Sequence, residues 1–239
     1  MLEASHFVPV AFEATVAGFG LTKSVSRLVA LLLTTHADTI DDEDVPRIQS
    51  QSAAGGELQL IFRDRGLLTV TSGWASFEGS FPEDAGPGTG WAFKPVEWAV
   101  DLLMSIMTIQ KANVLALNFE KTWVLSEQSS TESLVAYFGL SRTLGGLFAA
   151  SEDFQIRGDT TVELPDLFPV ECEVLAGRLV NVADPDDVGI QIKHRSPDNR
   201  GSSGAPVNFT RNTVDQFFTV SPQLMERQLA QFFPIRGAT

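Results

Sequence analysis

Apolar and polar residues alternate from Glu57 to Phe62, which puts Leu58, Leu60 and Phe62 on one face. Leu68 and Val70 resume the alternation after Asp64-Arg65-Gly66, and the pattern predicts a β-hairpin. Further on, Val170, Cys172 and Val174 alternate with polar neighbours. Ile190 and Ile192 alternate with Gln191 and Lys193 beyond Asp184-Pro185-Asp186-Asp187, predicting a second hairpin. Leu115, Leu117, Phe119 and Trp123 alternate with Ala116, Asn118, Glu120 and Thr122, as a strand does.

Helical spacing appears elsewhere. Pro95 suits a first helical turn, and Glu97, Asp101, Ser105 and Thr108 form a polar stripe opposite Trp98, Leu102, Leu103 and Ile106. Two shorter helices are expected at Thr213 to Thr219 and Pro222 to Phe233, because proline removes a helix-interior donor.

The chain shows self-similarity. Ala17 to Ala30 aligns without gaps on Ala136 to Ala149, with Leu28 over Leu147 and Ala30 over Ala149. Glu13 falls over Glu132 and Val16 over Val135, at an offset of 119 residues. The expected fold is therefore α+β: a tandem internal duplication of a strand-helix-hairpin-helix unit, with mainly antiparallel sheets in a pseudo-twofold arrangement. The repeats are residues 1–125 and 126–239, packed as one compact body.

Composition narrows the class. Of 239 residues 44% are hydrophobic, 20% are charged and 17 are Phe, enough apolar surface for a globular chain. The net charge of −13 repels phosphate backbones and anionic headgroups, so neither nucleic acid nor membrane is expected as a partner. Lys193, Arg195 and Arg200 read as a solvated hairpin end. The single cysteine, Cys172, excludes an intrachain disulfide and a Cys-rich zinc site, which fits a reducing compartment. No export signal is evident, and the most apolar helix candidate, Leu28 to Leu33, is too short to span a bilayer. A cytoplasmic location follows as the expectation.

Chemistry-bearing motifs are sparse. Gly18-Phe19-Gly20-Leu21-Thr22-Lys23-Ser24 follows a strand and opens a helix, like a phosphate-binding loop. Thr22 stands where that pattern needs glycine, so Gly20, Thr22, Lys23 and Ser24 are a possible ligand site rather than a P-loop. His6, His36 and His194 are scattered; His36 ends a helix near Asp38, Asp41, Asp42, Glu43 and Asp44, where a helix C-terminus favours a protonated ring. Neither metal nor cofactor is expected. Cys172 alternates with Glu171 and Glu173 as a small core residue does, the two acids facing solvent.

The aromatic residues suggest contact surfaces instead. Trp74 and Phe77 lie in a strand-like stretch, Trp91 and Phe93 in a Gly/Pro-rich loop, and Phe217 and Phe218 in a short terminal helix. Ala205-Pro206-Val207-Asn208-Phe209, with Phe217-Phe218 beyond, is similar to the C-terminal helix entry of SecB-type export chaperones. The strand-then-helix order at this N-terminus does not suit that fold, and no family is assigned. Without catalytic motifs, the expectation is a non-enzymatic interaction or assembly protein, an adaptor, chaperone-like binder or structural subunit. It would work through those aromatic surfaces on a protein partner or by homo-oligomerisation. The alternative is a small-molecule enzyme or binder with a site between the repeats, where Glu13 and Glu132 are the candidate carboxylates.

Overall fold

A computed structural model of the chain describes residues 2–18, 25–36, 47–51, 57–63, 65–71, 73–81, 94–125, 131–138, 155–179, 188–200 and 206–234. Its strands are β1 (Phe7–Ala17), β2 (Arg47–Gln51), β3 (Glu57–Phe62), β4 (Gly66–Thr71), β5 (Trp74–Ser80), β6 (Ala116–Leu125), β7 (Gln155–Glu163), β8 (Pro169–Arg178) and β9 (Val188–Arg195). Its helices are α1 (Val25–Thr35), α2 (Lys94–Gln110), α3 (Thr131–Tyr137) and α4 (Arg211–Phe232), with a single 3-10 turn at Ala4–His6. The class is mixed α+β, as the alternation predicted.

All nine strands join one sheet in the order β2-β3-β4-β5-β1-β6-β9-β8-β7, and every pairing is antiparallel. Strands β1 and β6 run side by side at its centre. A meander from β2 to β5 returns to flank β1, and a meander from β7 to β9 returns to flank β6. Pro9 has no amide proton to give a central ladder, and the register between β1 and β6 shifts between Pro9 and Ala11, where a bulge accommodates it.

The core lies between one sheet face and the helices. Phe12, Ala14 and Val16 of β1, Phe77 of β5, and Leu117, Phe119 and Trp123 of β6 are buried there with Leu102, Leu103 and Ile106 of α2 and Phe217, Phe218 and Met225 of α4. Phe12 packs against Phe77, Phe81 and Phe119, and Phe62 and Phe77 both meet Trp98 edge-on. A Cβ at Gly79 would come within 2.4 Å of the Phe12 ring, so glycine there lets the ring lie across β5.

Several expectations change. The 119-residue offset superposes unlike elements where it can be followed: Ala17 ends strand β1 whereas Ala136 lies inside helix α3, and the Gly-Leu-Ser/Thr stretches themselves lie outside the described residues. The C-terminal segment is one helix rather than two, with Pro222 inside it. Packing on both sides of the proline, through Val214, Phe217 and Phe218 before it and Met225 and Leu229 after, outweighs the roughly 3 kcal/mol interior penalty. His36 is not a solvent-facing cation at a helix end. Its Nε2 lies 2.9 Å from Ser105 Oγ, tying α1 to α2, and burial lowers its pKa against the pull of Asp101. Among the described residues no helix is long and apolar enough to cross a membrane.

Candidate functional site

The antiparallel register assembles a row of side chains across the face opposite the helices. Ile61 pairs with Leu67, Leu67 with Glu78, Glu78 with Glu13, Glu13 with Glu120, Glu120 with Lys193, Lys193 with Glu173, and Glu173 with Asp159. Alternation makes this row: each residue occupies the polar-face position of its strand, and directly opposed side chains are near neighbours.

The two ends of the row are compensated differently. Lys193 Nζ donates to Glu120 at 3.0 Å and Gln191 Nε2 donates to the same carboxylate at 2.7 Å. Glu173 accepts from Arg195 at 2.5 Å and pairs with Arg157 at 3.2 Å. Among the described residues Glu13 accepts a side-chain hydrogen bond from the Thr15 hydroxyl alone, 2.9 Å away. Among the described residues neither Glu13 nor Glu78 forms an ion pair. Burial raises the pKa of Glu78 from its ordinary value, and the charges of Glu13 and Glu120 raise it further.

Above these carboxylates is a cleft of about 640 Å³. Glu13, Glu78 and Glu120 line it together with Thr122, Ser80, Gln191 and Arg65, while Ile61 and Leu67 form an apolar side. Ile61, near the end of β3, is 41% exposed and presents its side chain on this face. Gly66 enters β4 with φ +145°, and a Cβ there would meet Glu78 O at 2.0 Å, so only glycine lets the β3–β4 turn close beside the cleft. The carboxylates are spread along the row: among the described residues no three His, Cys, Asp or Glu side chains are grouped to hold a metal ion. The arrangement offers negative charge beside an apolar wall, which suits an ammonium or guanidinium group on an aliphatic stem.

The residues singled out from the sequence fall in different places. Glu13 is in this cleft, in the middle of β1. Glu132 lies on α3 rather than on a strand of the sheet. Gly20, Thr22, Lys23, Ser24, Trp91 and Phe93 lie outside the described residues. Phe77, Phe217 and Phe218 are core residues, Phe217 with 0% exposure. As placed they cannot form a contact surface, because their doubled spacing serves helix-to-sheet packing. Trp74 is exposed at 38%. Lys193 and Arg195 are not a solvated hairpin end. They sit within β9 and neutralise Glu120, Glu171 and Glu173, while Arg200 pairs with Asp198. Sequence reasoning missed Glu78 and Glu120 as site residues. Their polar-face positions were readable, but their meeting with Glu13 depends on strand order.

No family model matches this chain, and no curated protein matches it. A rolling circle replication initiator protein from Geobacillus stearothermophilus is similar at 10% identity and a TM-score of 0.30, over 98% of this chain and 89% of that one. That protein's role runs against two expectations, the non-enzymatic interaction or assembly protein and the absence of nucleic acid among partners, and both are withdrawn. A TM-score of 0.30 carries no argument for the same activity here.

Proposed function

We propose that this chain binds an organic cation, a primary ammonium on an aliphatic stem, in the cleft over β5, β1 and β6. The observation that carries the reading is the unneutralised Glu13–Glu78 pair. Like charges placed directly opposite on neighbouring strands are unfavourable, and a cation between them removes that cost. Ile61 and Leu67 would take the stem, and Thr122 and Ser80 would supply hydroxyl oxygens to the ammonium protons.

Isothermal titration with hexylammonium chloride tests this, with hexanoate as the anionic control. Saturable heat for the cation alone is expected, with at least a tenfold weakening in Glu13→Gln and in Glu78→Gln. Equal binding of cation and anion, or unchanged affinity in both variants, would rule it out. Affinity should also fall on acidification as Glu78 takes up its proton.

The finer features of the architecture belong to the same reading. What supports an internal duplication is element order: β1-α1-meander-α2 is followed by β6-α3-meander-α4, with β1 and β6 adjacent. That order favours a second unit beginning at β6 rather than after it. A reducing, cytoplasmic location is consistent with a single buried thiol.

A further inference from the structure

Helix α4 closes the other face of the sheet through a layer that mixes apolar and polar contacts. Val214, Phe217, Phe218, Met225 and Leu229 are buried, and Phe218 meets Phe119 of β6 edge-on at 6.2 Å. Between them lie three polar links. Glu226 of α4 pairs with Lys121 of β6, which is 1% exposed and sits over the rings of Phe81 and Trp123. Gln228 Oε1 is 3.1 Å from His194 Nε2 of β9, and Gln228 Nε2 donates to Cys172 Sγ of β8 at 3.5 Å. His194 has 0% exposure, and its Nδ1 has no hydrogen-bond partner among the described residues.

This geometry admits only the neutral ring. Nε2–H donates to the Gln228 carbonyl and Nδ1 is left as a bare acceptor; a second proton would place a buried N–H, and a charge, where no acceptor waits. Three other titratable or charged groups occupy the same layer. Cys172 faces His194 from β8, Lys121 lies two residues beyond its partner Phe119 on β6, and Glu226 on α4 is engaged by Lys121. Helix α4 shares no ladder hydrogen bond with the sheet, so it can leave without breaking a strand pairing.

We propose that α4 is an acid-released latch: protonation of His194 undocks the helix and uncovers the β6–β9–β8 face, including the Cys172 thiol. The ordinary imidazole pKa of 6.5 is brought down to about 4, chiefly by burial and against the Gln228 hydrogen bond. A lowered value means the docked form binds the proton less well than the released form. Docking is complete above the ordinary value and weakens as pH falls between 6.5 and about 4.

Cys172 is the only cysteine, so its modification reads the latch directly. Labelling with 4,4′-dithiodipyridine, which reacts at acid pH, is measured from pH 7.5 to 4.5. Each rate is divided by that of the urea-unfolded protein at the same pH. The normalised rate is expected to rise by roughly tenfold per pH unit below 6.5. His194→Gln is expected to flatten the profile, while backbone amides of β1 and β5 keep their exchange protection in the unaltered protein. A flat profile in the unaltered protein overturns the proposal, as does an unchanged profile in His194→Gln. Loss of protection in β1 and β5 with the same pH dependence overturns it too, since that is whole-molecule unfolding. If the variant does not fold, the amide-exchange comparison decides alone.

Discussion

Strand β6 presents Leu117, Phe119, Lys121 and Trp123 to the helices, and Asn118, Glu120, Thr122 and Val124 to the other side. On the helix side Lys121 is nearly fully buried and is paired with Glu226. On the other side, three glutamates stand in adjacent strands, and among the described residues only Glu120 of the three has a cation partner. The same backbone thus carries a layer whose charge is matched and one whose charge is left unmatched. Stability alone explains the first. The second costs stability, which is why it marks the candidate site.

Acid separates the two faces further. His194, whose pKa is lowered, loses its stabilising contribution as pH falls from 6.5 toward about 4. Glu78, whose pKa is raised, is most favourable to the fold when protonated, so its contribution is lost as pH rises above the ordinary carboxylate value through the raised one. One face is weakened by protons and the other relieved by them.

The largest expected effect is on the matched side. Phe119→Ala, by removing a ring from among Phe12, Phe218 and the centre of the sheet, should cost about 3–5 kcal/mol in urea denaturation. Lys121→Ala follows at about 3 kcal/mol. The double variant Lys121→Met, Glu226→Gln should recover to within about 1 kcal/mol of the parent, because the penalty arises from breaking the pair. A double variant as unstable as the single one would remove the distinction between matched and unmatched faces. Third in size, the stability difference between the parent and His194→Gln should change by about 2 kcal/mol between pH 7 and pH 5, with the parent losing more on acidification. Smallest, Glu78→Gln should raise Tm by about 1–2 °C at neutral pH while weakening cation binding. A fall in Tm would mean that the carboxylate is structural.

Much of the framework was legible. The hairpins at Leu58 to Val70 and Val170 to Ile192, the amphipathic α2 and the strand ending at Trp123 all follow from local periodicity, which the chain expresses within a few residues. Cys172 was readable as a core residue for the same reason. Pro222 misled because local propensity argues for a helix break, and only the packing of α4 against the sheet overrides it. The Ala17/Ala136 similarity falls on the end of a strand and the interior of a helix, because a match of residue types carries no information about the element that holds them. Phe217 and Phe218 were misread because a pair of large rings fits a core and a contact surface equally well until the helix is docked.

Sequence by itself determined which residues share a face along each strand and helix, and with that the division into a helix-covered side and a polar side, because side-chain direction depends on backbone period alone. Tertiary structure decided which strands are neighbours. Glu13, Glu78 and Glu120 are far apart along the chain and become one row only because β1 lies between β5 and β6 in fixed register; His194, Cys172 and Gln228 meet only because α4 lies across β9 and β8. Both depend on long-range pairing, whose energetics lie in the closure of the whole sheet and are not written in any local stretch.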